Sequence, residues 1–224
     1  MLVLNLRSYN KINKTVFLTV EPKGLMNYLA HIYLSKNDEL ISIGNFMADH
    51  IKGNKYKEFS IGLQKGILLH RQIDSFTDAH EIVRNSKRRL DDDYGLYRGI
   101  IVDIIYDHML AKNWHLYSEK PLGDYTQAFY GKLNRHYEVL PEKIRYMTKY
   151  LIKEDWLLSY AEIGGIQKVL EGMNRRTGGL SNMNLAIKDL EENYKEFEND
   201  FTMFFDELQE FSHQKLLDID QLFK

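Results

Sequence analysis

The sequence contains no cysteine, and this absence excludes several kinds of chemistry. Disulfide bonds, zinc–thiolate sites and cysteine nucleophiles all require a thiol, and chains without one are typical of a reducing compartment. Any metal ion would have to be bound by histidine, aspartate or glutamate side chains. We therefore expect a cytoplasmic protein.

Long apolar runs and a charge excess are also missing. No apolar stretch approaches the roughly 18 residues of a membrane span, and the N-terminus lacks the pattern of a secretion signal. The 30 Lys and Arg residues nearly balance 32 Asp and Glu residues, for a formal charge of −2. No global field attracts nucleic acid or anionic lipid, and we predict that the protein binds neither nucleic acid nor membranes.

Proline is scarce, with three residues in a chain of 224, and this scarcity favours long helices. Apolar residues recur at spacings of three and four, with little alternation of period two. The segments with this helical spacing are 27–34, 40–51, 62–76, 98–111, 122–138, 142–152, 156–173 and 183–223. With 44% hydrophobic residues the chain can bury one substantial core. The sequence predicts an all-α, single-domain helical bundle.

Residues 1–25 differ from the rest, because β-branched residues and asparagine mix there without a helical stripe. One interpretation is a loosely packed N-terminal extension. The other is that translation begins at Met26 and the preceding residues are a start-site artefact. In both cases we expect the functional domain at residues 26–224. Towards its end, LEENYKEFENDFTMFFDELQEF alternates acidic and aromatic residues and predicts one long amphipathic helix.

An apolar helical segment at residues 68–80, LLHRQIDSFTDAH, contains a pair of potential metal ligands. His70 and Asp74 are four residues apart, so they project from one helix face about one turn apart. The adjacent Arg71 is placed either to bind a phosphate in bidentate fashion or to form an ion pair with Asp74.

A second apolar segment, GIIVDIIYDHMLAKNW at residues 99–114, repeats the pattern. Asp103 and Asp107 are four residues apart, and His108 follows directly. Burying unpaired carboxylates is costly, so each needs a partner or a cation. If this helix faces the first one, their imidazoles and carboxylates form a ligand set suited to Mn²⁺, Fe²⁺ or Mg²⁺.

Two weaker candidates extend this set. Asp49, four residues after Asn45, offers a further carboxylate, and His31 lies in the apolar segment upstream. Each has a structural alternative, since buried histidines are commonly hydrogen-bonded core residues and Asp49 suits a helix end. For the paired motifs the alternative is a solvated face, or ion pairs with Arg71 and Arg98. The apolar context favours a shared metal.

Positive charge clusters in KGNKYK at residues 52–57, RNSKRR at residues 84–89, and at Arg175 and Arg176. A solvated helix face is the common explanation for any one run. Several such runs near a metal would instead suit an anionic partner.

Six stretches, in this order, resemble one known family, the acyl carrier protein phosphodiesterases, also called acyl carrier protein hydrolases. The stretches are MNYLAHIYLS, GNFMAD, GILLHRQIDSFTDAH, DIIYDHMLAKNW, DWLLSY and GIQKVLEGMNRR. The resemblance runs from Met26 to around Phe205. It implies an all-helical enzyme distantly related to HD-type metal-dependent phosphohydrolases, although this chain has HRQID and a reversed Asp107-His108 where those proteins have adjacent His-Asp.

The resemblance implies hydrolysis of the phosphodiester that joins 4′-phosphopantetheine to a serine of holo-acyl carrier protein, with Mn²⁺ as the expected cofactor. Because that protein substrate is acidic, we expect the basic runs to dock it. The alternatives are an HD-type phosphohydrolase acting on a nucleotide or another small phosphoester, and a non-enzymatic helical binding module. The predicted metal ligands are His31, Asp49, His70, Asp74, Asp103, Asp107 and His108, and the predicted catalytic residues are Arg71 and Asp107.

Overall fold

A computed structural model describes residues 28–36 and 38–224, and every regular element in this part of the chain is a helix. The predicted all-α class is confirmed. The extension expected at residues 1–25 and the start expected at Met26 lie outside the described residues.

The α-helices are numbered here in chain order. They are α1 (Tyr28–Leu34), α2 (Glu39–Met47), α3 (Ile61–Ala79), α4 (Glu81–Arg88), α5 (Arg98–Lys112), α6 (Leu122–Arg135), α7 (Glu142–Lys153), α8 (Trp156–Ser159), α9 (Ile163–Arg176), α10 (Ala186–Glu192) and α11 (Tyr194–Gln221). Short 3₁₀ turns connect them at Ala48–His50, Gly53–Glu58, Asp92–Tyr97, Trp114–Leu116, Tyr137–Val139 and Met183–Leu185.

The structure differs from the predicted helices in several places, including α4 and the C-terminal segment. Helix α4 was not predicted, because it buries little more than Val83 and Ser86 and its sequence reads as a basic run. The C-terminal segment, expected as one helix, is divided at Asn193 between α10 and α11. In both cases the local sequence pattern does not determine the bounds of the helix, and contacts with the rest of the chain do.

One continuous hydrophobic core joins the helices from α1 to α11. Helix α5 passes through it with apolar residues buried on all sides, including Ile101, Val102 and Ile105. Helix α11 packs against α3, α4 and α5 and buries Phe201 and Phe205. Two polar side chains of α5, Asp107 and His108, are buried within this core, whereas Asp103 is partly exposed.

Helices α2 and α3 approach until their backbones are in contact. A Cβ atom added to Gly44 would lie 2.3 Å from the carbonyl oxygen of Leu63, and one added to Gly66 would lie 2.2 Å from that of Ile41. Only glycine permits so short a separation. This contact brings the C-terminal half of α2 beside the middle of α3, where the candidate site lies.

Within the described part of the chain, no helix combines the length and apolarity that a membrane span requires.

Candidate metal centre

Three potential ligands from two helices converge at one point. His31 of α1 and His70 and Asp74 of α3 offer ligand atoms that all lie within 4.8 Å of one another. The two carboxylate oxygens of Asp74 face different imidazoles, at 3.3 Å from Nε2 of His31 and 3.2 Å from Nε2 of His70. Both histidines are buried, whereas the side chain of Asp74 is 46% exposed. We call these three residues the His–Asp cluster, and it opens to solvent through Asp74.

Asp49 lies at the edge of the cluster, on the 3₁₀ turn that follows α2. Its Oδ1 atom is 3.2 Å from Nε2 of His70, so this imidazole nitrogen is shared between Asp49 and Asp74. The sequence prediction that Asp49 adds a carboxylate near the paired motif agrees with this position, and its role as a ligand stays a prediction.

Asn45 supports both imidazoles from the side opposite to Asp74. Its Oδ1 atom lies 2.7 Å from Nδ1 of His31 and 3.2 Å from Nδ1 of His70. Sequence reasoning noted Asn45 only for its spacing from Asp49. A buried asparagine one turn before a candidate ligand was the available signal, but its partners on α1 and α3 could not be read from spacing.

One atom of the cluster has no hydrogen-bond partner. Nε2 of His31 is fully buried and unpartnered; Asp74 Oδ1 lies at 3.3 Å but without hydrogen-bonding geometry. Leaving a buried polar group unsatisfied costs roughly 1–3 kcal/mol. A divalent cation would satisfy this nitrogen, and imidazole nitrogens together with carboxylate oxygens form a ligand set that Mn²⁺ and Fe²⁺ accept. The residues present therefore fit such an ion.

The charges of the cluster are strongly coupled. Burial alone would lower the pKa of His70, but its contacts with Asp49 and Asp74 outweigh burial and raise that pKa to about 10. Burial, followed by the neighbouring His70, lowers the pKa of His31. Burial would raise the pKa of Asp74, but its contacts with His31 and His70 hold it well below its usual range. An ionised carboxylate thus faces one neutral and one protonated imidazole, a place where a metal ion can substitute for the proton.

Asp107 does not belong to the cluster. Its two carboxylate oxygens accept hydrogen bonds from the backbone N–H groups of Leu29 and Ala30, both at 2.9 Å. These are first-turn groups of α1 that lack partners within their own helix, and burial raises the pKa of Asp107 to about 7. Asp107 therefore anchors the helix that carries His31. Its expected roles as a metal ligand and as a catalytic residue stay predictions.

His108 is also separate from the cluster. Its Nδ1 lies 2.7 Å from the carbonyl oxygen of Tyr160, and its Nε2 lies 3.0 Å from the hydroxyl of Tyr194. Successive residues on a helix project about 100° apart, so His108 points away from the direction of Asp107. Because both ring nitrogens have protein partners, His108 links α5 to Tyr160 and to Tyr194 of α11. Its expected role as a metal ligand stays a prediction.

Asp103 is the third predicted ligand on α5. Burial, followed by the negative charge of Asp74, raises the pKa of Asp103 well above its usual value. Its oxygens are not among the ligand atoms that converge in the cluster. Ligation by Asp103 stays a prediction.

Arg71 does not pair with Asp74 in this structure. Its Nη2 donates to the carbonyl oxygens of Ile51, at 2.9 Å, and Gly53, at 2.8 Å, and its guanidinium lies 5.2 Å from the centre of the Tyr56 ring. Arg71 therefore holds the segment that follows Asp49. Its predicted contact with a phosphate is untested.

The basic run at residues 84–89 is largely engaged in internal contacts. Arg89 forms an ion pair with the nearly buried carboxylate of Asp200, at 3.0 Å, and Lys87 lies 3.6 Å from Asp78. Docking of a partner by this run stays a prediction, and the Arg89 guanidinium already has an acidic partner within the fold.

The basic run at residues 52–57 borders the cluster. It forms the 3₁₀ turn Gly53–Glu58, which begins four residues after Asp49, and Lys55 and Lys57 are exposed. Because Arg71 is bound to this segment, the segment is attached to the helix that carries His70 and Asp74.

Comparison with known proteins gives a uniform result. Residues 26–208 match the family described as "Acyl carrier protein phosphodiesterase". The chain is 32% identical to the acyl carrier protein phosphodiesterase of Photorhabdus laumondii over 191 residues, covering 85% of this chain and 96% of that protein. It is 31% identical to the protein of that name from Serratia proteamaculans, covering 86% of this chain and 100% of that one. The similarly named protein of Escherichia coli O6:H1 is 30% identical with the same coverage.

No solved structure matches the chain. The HD-like architecture expected from the sequence therefore stays a prediction, while the all-α fold and the position of the His–Asp cluster are described by the present structure.

Proposed function

The chain belongs to the acyl carrier protein phosphodiesterase family, and on this basis we propose that it is a hydrolase that removes 4′-phosphopantetheine from holo-acyl carrier protein. The reaction cleaves the phosphodiester between the prosthetic group and the carrier serine, and it leaves apo-acyl carrier protein. We place this reaction in the cytoplasm, as the sequence led us to expect.

A single observation carries the chemical part of the proposal: His31, His70 and Asp74 converge, and Nε2 of His31 is buried without a partner. We propose that these three residues hold a divalent cation, Mn²⁺ in the first place, with Mg²⁺ and Fe²⁺ as alternatives. When bound, such an ion polarises a phosphoryl oxygen and makes a water molecule acidic enough to act as a nucleophile near neutral pH.

The residues of the chain determine where a phosphodiester can approach. The imidazoles are buried and Asp74 is exposed, so a substrate reaches the cluster from the Asp74 side. The carboxylates of Asp49 and Asp74 would by themselves repel an anionic diester. The proposed cation would neutralise these two charges and so permit the approach of the diester.

The partner is proposed to be a whole protein, so recognition must extend beyond the diester. The basic turn Gly53–Glu58 lies beside Asp49 and presents lysines to solvent. An acidic carrier protein docked there would be steered electrostatically and would bring its modified serine towards the cluster. We propose this turn as part of the docking surface.

The function is tested by incubating the protein with Mn²⁺ and holo-acyl carrier protein and weighing the carrier by mass spectrometry. The expected result is loss of the phosphopantetheine mass, with no loss for an Asp74→Asn variant of equal stability. A carrier that stays intact while the protein hydrolyses nucleotides would support the alternative of a small-molecule phosphohydrolase. A carrier that stays intact with no phosphoester turnover, and no bound metal, would support a binding module.

A further inference from the structure

Asn45 is fully buried between the two histidines of the His–Asp cluster and makes a complete set of hydrogen bonds. Its Oδ1 atom contacts Nδ1 of both imidazoles, at 2.7 Å and 3.2 Å. Its Nδ2 atom lies 2.8 Å from the carbonyl oxygen of His31 and 3.0 Å from Oγ of Ser35. One amide thus contacts the backbone of α1 on one side and both imidazoles on the other.

The orientation of this amide follows from its neighbours. A backbone carbonyl can only accept hydrogen bonds, so the group of Asn45 that faces the His31 carbonyl must be the NH₂ group. Oγ of Ser35 donates to the same carbonyl, at 2.8 Å, which leaves the hydroxyl oxygen free to accept the second Nδ2 hydrogen. The amide oxygen must therefore face the imidazoles.

The tautomers of the imidazoles follow in turn. Because Oδ1 of Asn45 can only accept, each Nδ1 that contacts it must carry a proton. In a neutral imidazole the other nitrogen, Nε2, then has a lone pair. In His31 and His70 the Nε2 atoms both face the carboxylate of Asp74. Such a lone pair is compatible with the negative charge only when a proton or a metal cation lies between them.

From this we infer that Asn45 is a positioning residue that holds both imidazoles in the tautomer with Nε2 free to bind a metal. The inference rests on the proposed function, since it assumes the metal that we place at the His–Asp cluster. It adds that one amide oxygen determines the tautomer of two metal ligands at once. Groups that hydrogen-bond to metal-ligating histidines in this way typically contribute a factor of about 10–100 to metal affinity.

Three variants separate positioning from mere packing. Asn45→Ala removes the acceptor, Asn45→Asp keeps an acceptor oxygen but removes the NH₂ group, and Ser35→Ala perturbs the same buried region without touching the imidazoles. The dissociation constant for Mn²⁺ is measured by electron paramagnetic resonance of the free ion, and stability by urea unfolding of the metal-free proteins. We expect Asn45→Ala to raise the constant about 10–100-fold. Asn45→Asp keeps the acceptor, and its carboxylate makes the imidazoles more basic, so it should bind Mn²⁺ at least as tightly as the wild type although it loses stability. Ser35→Ala should stay within about threefold of the wild type although it also loses stability.

A spectroscopic readout checks the tautomers directly. In the protein loaded with Zn²⁺, a diamagnetic probe, ¹⁵N–¹H spectra of the wild type should show His31 and His70 protonated at Nδ1. In Asn45→Ala at least one of them should lose this signature. Asn45→Asp should retain it, which keeps the test decisive if the alanine variant fails to fold.

Two results would overturn the inference. The first is an Asn45→Ala protein that is folded and binds Mn²⁺ as tightly as the wild type. The second is a Mn²⁺ affinity that simply follows stability across the three variants, as a structural role predicts. A wild-type protein that binds no Mn²⁺ would overturn the proposed metal as well, and it is distinguishable because the wild type itself then fails.

Discussion

The imidazole rings of His31 and His70 stack with their centroids 4.1 Å apart and their planes inclined by 25°. Two positive charges at this separation repel strongly inside a protein. In the metal-free protein one ring accordingly carries the proton: the pKa of His70 is raised to about 10, whereas that of His31 is lowered. A divalent cation that binds Nε2 of His70 must displace this proton.

Metal affinity should therefore depend steeply on pH. Below the His70 pKa of about 10, binding of Mn²⁺ releases one proton, so affinity should rise about tenfold per pH unit as pH increases from neutrality towards that value. The check is a series of Mn²⁺ titrations across this range, with proton release measured in weakly buffered solution. A constant affinity over two pH units would contradict the assignment of the proton to His70.

Replacement of a cluster residue should abolish metal binding. His31→Ala and Asp74→Asn each remove a ligand, and we expect both to lose detectable Mn²⁺ binding and carrier hydrolysis, because the remaining two ligands leave the ion weakly held. The control is His115→Ala, since His115 is exposed. Calorimetric Mn²⁺ titration and the carrier mass assay give the readouts, and full activity of His31→Ala would exclude the cluster as the metal site.

Asp107→Asn should act mainly on stability. The amide keeps one acceptor oxygen but turns an NH₂ group towards a backbone N–H of α1, so one buried donor loses its partner at a cost of about 1–3 kcal/mol. Urea unfolding of the metal-free variant measures this loss. Because α1 carries His31, Mn²⁺ affinity should also fall, though less than in His31→Ala. An Asp107→Asn protein of normal stability but with no activity would instead indicate a direct catalytic role.

Charge reversal on the basic turn should affect hydrolysis of the carrier protein but not of a small diester. Lys55→Glu combined with Lys57→Glu should raise KM for holo-acyl carrier protein and reduce its salt dependence, since rim charges act on association. Hydrolysis of a small diester should be unchanged. The matched control is Lys168→Glu with Lys195→Glu, the same charge change on exposed positions of α9 and α11. Equal loss with both substrates would show that the turn does not dock the carrier.

The contact between α2 and α3 should be sensitive to a single methyl group. Gly66→Ala places a Cβ 2.2 Å from the backbone oxygen of Ile41, so the helices must separate, and overpacking of this kind costs about 1–3 kcal/mol. Gly164→Ala is the control, because nothing lies within 4 Å of its added Cβ. Urea unfolding and Mn²⁺ titration should show losses only for Gly66→Ala. Unchanged Mn²⁺ affinity in that variant would mean that the helix separation does not govern the site.

The sequence predicted the helices well because their apolar spacing is a local property of the chain. The pairing of His70 with Asp74 was predictable for the same reason, as residues four apart share a helix face. Helix α4 escaped because a short helix with few buried residues leaves little periodicity to detect.

The sequence alone could not show which of the polar side chains in apolar helices lie close together in the folded protein. Asp107 meets Leu29, a residue 78 positions away, and His108 meets Tyr194, 86 positions away. Such partners depend on the tertiary packing, and a buried carboxylate that anchors a helix has the same sequence pattern as one that binds a metal. Asn45 was undervalued for a related reason, since an uncharged amide is not itself a preferred ligand.

The backbone contact at Gly44 and Gly66 has a consequence for how such a chain can change. The two sides of the site, Asn45 and Asp49 on one and His70 and Asp74 on the other, are spaced by peptide groups that touch, whose dimensions do not vary with side-chain size. Substitutions elsewhere in the core can therefore accumulate and repack while the ligands keep their distances. A chain with this backbone contact can accumulate many substitutions in its interior and still keep the same arrangement of ligands.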